Sequence, residues 1–290
     1  MFVKDNSYAA IHSYFQEKLS SVFSLREIRF LTNAFVRKRL GLSEGDLLLT
    51  QNIQFSESDL LYFRDKIKRL LNGEPFQYLL GSTFFHSVEI EVNENALIPR
   101  PETEELVEWI LNELPESSCA LLDIGTGTGC IPLAIAFNRP KDEVFGCDIS
   151  EQALALAKHN NTSLGLSVNF FQADCLNWKE NDFLLNNNWD VIVSNPPYIP
   201  EKEKEMMAKH VTEFEPAQAL FVPNDDAILF YRSIGELAKK SLKKSGKLMV
   251  EIHEQFEKEV VSCFQKIGFQ SIEVRKDLQG KPRMIKATLE

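Results

Sequence analysis

Ala120-Leu121-Leu122-Asp123-Ile124-Gly125-Thr126-Gly127-Thr128-Gly129 joins an apolar run of strand length to a loop in which every second residue is glycine. Residues 131–137, which follow, are apolar and are predicted to form a helix. Glycines between a strand and a helix let the backbone approach a ligand closely, although the same residues also suit a tight turn. Whether the loop binds a ligand must therefore be judged from the residues around it.

Strands and helices alternate from Cys119 to the end of the chain, which indicates an open, mostly parallel α/β sheet. The further strands predicted in this region cover residues 144–147, 168–171, 191–193, 247–252, 271–274 and 284–287. One helix predicted in this region begins at Ser150, and two others cover residues 226–242 and 256–267. A further helix, before this region, is predicted to begin at Pro101.

The preceding residues have the periodicity of amphipathic helices. Three are predicted: one with Ile11, Phe15 and Leu19 on a single face, one opened by the capping-box pair Ser24 and Glu27, and one from Ser56 to Asn72-Gly73. Within residues 84–92, Val88, Ile90 and Val92 alternate with Glu89 and Glu91, which predicts a strand with one exposed face and half of a hairpin. The sequence thus predicts a helical N-terminal domain (1–80), a β-hairpin linker (81–97) and an α/β domain (98–290).

The composition argues against several classes of protein. The formal net charge is −10, and residues 1–80 carry 11 Lys and Arg against 9 Asp and Glu, so the acidic excess lies in the rest of the chain. Nucleic-acid binders usually carry a basic surface, so no direct nucleic-acid partner is expected. The five cysteines are scattered and odd in number, which favours reduced thiols over disulfides or a metal site. Neither a signal peptide nor a membrane-spanning run is visible, and we expect a soluble, cytoplasmic protein.

Three acids stand at the ends of predicted strands. Asp123 precedes the glycine loop, where a carboxylate disfavours an anionic pyrophosphate and suits a positively charged ligand. Asp148 ends the second strand and is placed to bind ribose hydroxyls, while Asp174 ends the third and could contact an adenine amine. Together with the loop spacing, these acids indicate an adenosine-bearing cation, S-adenosylmethionine. NAD is the less favoured alternative.

Asn195-Pro196-Pro197-Tyr198 follows the apolar strand at residues 191–193. Two prolines fix φ and remove two backbone N–H donors, so the chain leaves the strand rigidly with its carbonyls free to accept. The Asn195 side chain adds another carbonyl acceptor. A pair of fixed acceptors beside an aromatic ring suits a planar –NH2 group, which would be the methyl acceptor.

The glycine loop, Asp148 and Asn195-Pro196-Pro197-Tyr198 resemble class I S-adenosylmethionine-dependent methyltransferases that modify planar amines, which have a Rossmann-like sheet. Four further segments resemble the HemK/PrmC family of these enzymes: Glu74-Pro75-Phe76-Gln77-Tyr78 with Gly81, Ile98-Pro99-Arg100-Pro101-Glu102-Thr103-Glu104, Phe214-Glu215-Pro216 with Ala219-Leu220, and Lys276-Asp277-Leu278 with Gly280 and Arg283. The resemblance implies methylation of the glutamine amide in the Gly-Gly-Gln motif of peptide chain release factors. It also implies that the helical domain binds the release factor, and we expect a monomer with an open cleft.

The resemblance also assigns site residues. The cofactor residues it implies are Gly125, Thr126, Gly127, Thr128, Gly129, Asp148, Ile149, Asp174, Cys175 and Asn195. The substrate residues it implies are Arg100, Asn195, Pro196, Pro197, Tyr198 and Glu251, with Asn195, Pro196 and Tyr198 as the catalytic set. Asn195 Oδ1 and the Pro196 carbonyl would each accept one amide N–H, and Tyr198 would cover the face of the amide. No metal is required, because a sulfonium is already activated.

Three residues depart from the family pattern, and one of them, Pro132, falls in the first turn of a helix, where proline is tolerated. Cys175 stands where relatives often have a bulkier residue, so that Trp178 is a possible substitute in contact with adenine. His253 replaces a glycine and is expected to be a surface-loop histidine. Two other functions remain open: an adenine exocyclic-amine methyltransferase acting on DNA or RNA, which would share the Asn-Pro-Pro-Tyr chemistry, and a non-catalytic adenosine-binding module.

Overall fold

The computed structural model describes residue 3, residues 5–49 and residues 53–289. The chain forms two compact units, Met1–Gly81 with Lys209–Phe214 and Ser82–Ala208 with Glu215–Glu290.

The first unit is helical. Its helices are α1 (Tyr8–Leu19), α2 (Leu25–Leu40), α3 (Glu44–Leu49), α4 (Glu57–Leu71), α5 (Phe76–Leu80) and α10 (Lys209–Phe214). The predicted capping box is confirmed, because Ser24 Oγ accepts the Glu27 N–H and the Glu27 carboxylate accepts the Ser24 N–H. The core of this unit is aromatic: the ring centroid of Phe15 lies 6.1 Å from that of Phe35 and 6.2 Å from that of Phe63.

A β-hairpin, β1 (Ser82–Phe85) and β2 (Val88–Glu91), opens the second unit. The prediction of one strand over residues 84–92 is wrong, because the chain turns at His86-Ser87, although the predicted hairpin is present. His86 has φ of 51°, the positive value that a tight hairpin turn requires. Such turns usually carry Gly, Asn or Asp, so His-Ser gave no sign of the turn in the sequence.

The second unit is built on a sheet that has seven strands within the described residues. They are β3 (Ala120–Ile124), β4 (Glu143–Asp148), β5 (Asn169–Gln172), β6 (Trp189–Ser194), β9 (Leu242–Glu251), β10 (Ser271–Lys276) and β11 (Pro282–Thr288), in the order β10-β11-β9-β6-β3-β4-β5. The strands from β9 to β5 run parallel, whereas β11 pairs antiparallel with β9 and β10. A separate pair, β7 (Ile199–Pro200) and β8 (Phe221–Val222), is also parallel. The predicted α/β sheet is confirmed.

Helices cover both faces of this sheet. They are α6 (Pro101–Glu113), α7 (Cys130–Asn138), α8 (Glu151–Ser163), α9 (Asp182–Asn186), α11 (Leu229–Ser241) and α12 (Glu257–Ile267). Neighbouring strand residues alternate between two buried clusters: Leu121 and Val193 belong to one, and Leu122 and Ile192 to the other. This alternation is what a strand buried on both faces produces.

The strand order reverses at β3, because the chain runs from β3 outward through β4 to β5 and then returns to β6 on the other side of β3. In open α/β sheets, ligands bind at the carboxyl ends of the strands where the order reverses. The glycine loop follows β3 and Asn195 follows β6, so both predicted motifs lie at this point.

Short elements escaped the sequence analysis. They are α3, α5, α9, the pair β7 and β8, α10 and the 3-10 turns Trp178–Glu180, Glu201–Met206 and Ala217–Ala219, each too brief to display a period. None of the helices described for this chain is both long and apolar enough to cross a membrane. Across residues 5–49 and 53–289, no group of three or more His, Cys, Asp or Glu is arranged to hold a metal ion.

Candidate active site

A pocket of about 230 Å³ lies at the carboxyl ends of the central strands and is formed within the second unit. Residues at the ends of four strands line it: residues 124–128 at the end of β3, residues 148–150 at the end of β4, residues 173–176 after β5 and residues 194–197 at the end of β6. The pocket therefore occupies the place that the strand order predicts for a ligand.

Most of the predicted site residues meet at this pocket. Those that line it are Arg100, Gly125, Thr126, Gly127, Thr128, Asp148, Ile149, Asp174, Cys175, Asn195, Pro196 and Pro197. Within the described range 53–289, which contains every predicted site residue, Gly129, Tyr198 and Glu251 do not line it. Trp178, considered as a substitute for Cys175, is buried in the hydrophobic cluster around Trp189 and is also absent from the lining described here.

The glycine loop is shaped by its backbone. Gly125 has φ of 73° and Gly129 has φ of 81°, both in the left-handed region that favours glycine. Gly129 also begins α7 in a crowded place, because a Cβ there would lie 3.1 Å from both Leu133 and Phe170. The loop is tied to the neighbouring strand, since the Gly125 and Thr126 N–H groups both donate to the Cys147 carbonyl at 2.9 Å.

Asp148 joins the glycine loop to the next turn. One carboxylate oxygen accepts the Gly127 N–H at 2.9 Å, and the other accepts the Ser150 N–H at 2.9 Å. A carboxylate has about four acceptor positions, so lone pairs remain for a ligand in the pocket. The residue can therefore hold a pair of hydroxyl groups.

The wall after β5 combines a carboxylate with apolar surface. Asp174 Oδ1 accepts the Leu176 N–H at 2.8 Å, and its Oδ2 accepts from Asn177 Nδ2 at 2.7 Å. Burial raises the pKa of the Cys175 thiol to about 12, so this side chain is neutral and suits an aromatic ligand surface. The wall can hold a flat ring with a polar edge.

Asp123 is fully buried and, among the described residues, does not belong to the pocket lining. Burial and, to a smaller extent, the negative charge of Asp148 raise the pKa of its carboxyl to about 7, while the Thr126 hydroxyl lowers it. The suitability of Asp123 for a positively charged ligand stays a prediction.

Asn195 belongs to a chain of hydrogen bonds that reaches two other elements. Its Nδ2 donates to Thr103 Oγ1 at 3.0 Å, and the Thr103 hydroxyl donates to Glu251 Oε2 at 2.6 Å. The Tyr198 hydroxyl donates to Glu251 Oε1 at 3.0 Å. Burial raises the pKa of Glu251, whereas these two hydroxyls and Arg283 lower it.

Arg100 is held by a buried carboxylate. Its Nη2 lies 2.5 Å from Glu215 Oε1, and Glu215 Oε2 accepts the Ile98 N–H at 3.0 Å. The Glu215 side chain is fully buried, while that of Arg100 is 31% exposed. Because Arg100 and Pro216 both line the pocket, this ion pair holds part of its wall in place.

His253 is not a surface-loop histidine, so that prediction is wrong. Its side chain is only 12% exposed and its ring lies 5.8 Å from that of Tyr198 and 5.1 Å from that of Phe256. Its Nε2 lies 3.4 Å from a Glu203 carboxylate oxygen.

Three residues of the site were not singled out individually from the sequence: Thr103, Glu215 and Asn160. Asn160 Nδ2 donates to the carbonyls of Glu91 and Thr128 at 3.0 Å each, so it ties the hairpin to the glycine loop. A buried amide on the apolar face of a helix must find partners, and this signal was available in the sequence of α8. Thr103 and Glu215 stand in the motifs quoted above, but their partners are distant in the chain.

Two family models match the sequence. Residues 103–224 match the methyltransferase small domain, and residues 27–81 match the PrmC N-terminal domain.

Curated relatives resemble the chain along nearly its whole length. A release factor glutamine methyltransferase from Flavobacterium psychrophilum is 41% identical over 276 residues, which cover 94% of this chain and 95% of that protein. The enzyme of the same description from Bacteroides thetaiotaomicron is 36% identical, covering 96% of this chain and 98% of the relative.

Solved structures share the fold at low identity. The hMettl16 catalytic domain aligns with a TM-score of 0.53 and 13% identity, covering 81% of this chain and 82% of its own. Human methyltransferase 10 domain containing protein aligns with a TM-score of 0.51 and 15% identity, covering 69% and 87% respectively. These likenesses concern the fold alone.

Proposed function

This chain belongs to the release factor glutamine methyltransferase family, and we propose that it transfers the methyl group of S-adenosylmethionine to a glutamine of peptide chain release factors. The acceptor is the side-chain amide nitrogen of the glutamine in the Gly-Gly-Gln motif. One observation carries the proposal: Asn195-Pro196-Pro197 and the glycine loop line the same pocket. A methyl donor bound at the loop and an amide held by Asn195 would therefore occupy the same pocket.

The donor half of the pocket fits an adenosine-bearing sulfonium. The lone pairs left on Asp148 suit the two ribose hydroxyls, and we assign the adenine amine to Asp174. Ile149, Cys175 and Phe230 supply apolar walls for the adenine ring. When bound, the sulfonium supplies an activated methyl group.

The acceptor half must compensate for a poor nucleophile, because the lone pair of an amide nitrogen is delocalised into its carbonyl. Positioning and electrostatics are the means available. Asn195 Oδ1 and the Pro196 carbonyl each accept one N–H of the glutamine amide, which directs its nitrogen at the methyl group. Pro196 and Pro197 have no N–H to compete for these acceptors. The predicted contact of the Tyr198 ring with the amide face stays a prediction.

We assign release factor binding to residues 1–80, and we expect a monomer that acts in the cytoplasm without binding nucleic acid directly. The match of residues 27–81 to the PrmC N-terminal domain supports the first assignment. The net charge of −10 supports the last, since nucleic-acid binders usually carry a basic surface.

The test offers S-adenosylmethionine labelled in its methyl group to a release factor, tRNA and DNA in parallel reactions. The proposal predicts label in the release factor only, and none in a release factor whose Gly-Gly-Gln glutamine is replaced by alanine. Label in tRNA or DNA, or equal label in the two release factors, would contradict it.

A further inference from the structure

We propose that Thr103 and Glu251 are positioning residues for this transfer, because they set which end of the Asn195 amide faces the pocket. The inference rests on the proposed function and extends it to residues outside the Asn-Pro-Pro-Tyr motif. It depends on hydrogen-bond polarity along the chain from Asn195 through Thr103 to Glu251.

The polarity follows from how many hydrogens each group carries. A threonine hydroxyl has a single hydrogen, and an ionised carboxylate can only accept. Thr103 lies 2.6 Å from Glu251 Oε2, so its hydrogen is given to the carboxylate. The Thr103 oxygen can then only accept from Asn195, and it does so from Nδ2 at 3.0 Å. Asn195 Oδ1 is thereby left for the substrate.

The opposite orientation of the amide is penalised. If the amide were turned over, Asn195 Oδ1 would face the Thr103 oxygen without a hydrogen between them, and the NH2 group would face the pocket. An NH2 group cannot accept the N–H of a glutamine amide, so the acceptor half would lose one of its two fixed oxygens. Buried polar groups left without partners are costly, and the network therefore favours one orientation.

Glu251 is held in place by burial and by two tyrosine hydroxyls, which preserves this polarity. It is buried at the end of β9, and its Oε1 accepts the Tyr198 hydroxyl at 3.0 Å. Its main-chain carbonyl accepts the Tyr231 hydroxyl at 3.1 Å. The same carboxylate thus connects Asn195 and Tyr198, the first and last residues of the motif.

The charged groups that act on Glu251 come from two elements. Arg283 of β11 lowers its pKa, and Glu102 of α6 raises it, in addition to the effects of burial and of the Thr103 and Tyr198 hydroxyls. Protonation of Glu251 would allow the carboxyl to donate to Thr103, and the Thr103 hydrogen could then turn towards Asn195. Activity should therefore fall on the acid side as Glu251 takes up a proton.

The main test compares Thr103→Val, which keeps the shape and loses the hydroxyl, with Thr103→Ser, which keeps the hydroxyl. We expect kcat to fall about tenfold in the valine variant and to stay within about twofold of wild type in the serine variant. The affinity for S-adenosylmethionine, measured by calorimetry, should be unchanged in both. A valine variant with wild-type kcat, or a serine variant as slow as the valine variant, would overturn the proposal.

A second variant, Glu251→Gln, tests the direction of the same hydrogen bonds without a change at Thr103. Its kcat should be lowered, and the fall of activity on the acid side should be absent from its pH profile. An acid limb identical to that of the wild-type enzyme would overturn the role of Glu251.

Hydrogen exchange read by NMR separates this inference from the proposed function, because it needs no substrate. The Asn195 side-chain NH2 should exchange slowly in the wild type and in Thr103→Ser, and about tenfold faster in Thr103→Val. Equal exchange in all three proteins would overturn the proposal even if release factors are methylated. A wild type that methylates no release factor but shows the expected exchange contradicts the proposed function and leaves the Asn195 network supported.

Discussion

The donor half and the acceptor half of the pocket are built by different means. The donor half is a backbone structure: glycines with positive φ form the loop, and Asp148 ties the loop to the turn after β4. The acceptor half is a side-chain structure, in which Asn195 contacts Thr103 from 92 positions away and Thr103 contacts Glu251 from 148 positions away. Changes in the first half should act on cofactor affinity, and changes in the second should act on the rate of transfer.

Asn195→Ala should show the largest effect and should act on the acceptor half alone. Loss of one preorganised hydrogen-bonding group should raise the barrier by about 3 kcal/mol, roughly a hundredfold in kcat. Methylation kinetics with a release factor measure this, and calorimetry should find S-adenosylmethionine binding unchanged. Asn187→Ala is the matched control, because the Asn187 side chain donates to the Phe183 carbonyl and, among the described residues, does not line the pocket. A wild-type rate for Asn195→Ala would remove the residue from the mechanism.

Gly129→Ala should damage the donor half through its backbone. The new Cβ would combine a positive φ with contacts at 3.1 Å, and the free energy of unfolding should fall by about 2–3 kcal/mol in chemical denaturation. Gly165→Ala shares the positive φ but meets nothing within 4 Å, and should cost only about 1 kcal/mol. Equal losses of unfolding free energy in the two variants would show that the close contacts of a Cβ at Gly129 are unimportant.

Asp148→Ala should weaken S-adenosylmethionine binding by about 2 kcal/mol, roughly thirtyfold in Kd, because hydrogen bonds to a charged group are lost. Asp190→Ala is the control: this carboxylate also accepts a backbone N–H, that of Ala120 at 2.7 Å, but does not line the pocket of the described residues. Calorimetry should find the affinity of the control unchanged. Unchanged affinity in Asp148→Ala would exclude the residue from the cofactor site.

The smallest predicted effect lies outside both halves, at Glu113. Hydrogen bonds from Lys247 and Lys286 lower the pKa of Glu113 from 4.5 to about 2. Because the folded-state pKa is the lower one, the stabilisation is present above about pH 4.5 and is lost as pH falls towards 2. Glu113 and its two lysine partners are partly exposed, so we expect their ion pairs to contribute about 1 kcal/mol to the free energy of unfolding. Glu113→Gln should remove this pH dependence, and an unchanged acid-denaturation curve would contradict the assignment.

The same contrast explains what could be predicted from the sequence. The glycine loop and Asp148 depend on local chain geometry at a strand end, and Asp148 and residues 125–128 of the loop line the pocket. Asn195 was found because the two prolines make its motif visible. Thr103 and Glu215 were not singled out individually, because their hydrogen bonds to Glu251 and to the Ile98 N–H join residues more than a hundred positions apart.

The errors have physical causes as well. His253 was expected at the surface, because nothing in the neighbouring sequence shows that Tyr198 and Phe256 pack beside its ring. The hairpin turn at His86-Ser87 lacks the usual turn residues. Each error concerns a property that only the completed packing determines.

Tandem mass spectrometry of a release factor after a single turnover with the wild-type enzyme identifies the methylated atom. We expect one added methyl group, located on the side-chain amide nitrogen of the Gly-Gly-Gln glutamine, and a release factor left unmodified by Asn195→Ala over the same time. A methyl group on any other residue, or an unmodified release factor after incubation with the wild-type enzyme, would contradict the proposed function.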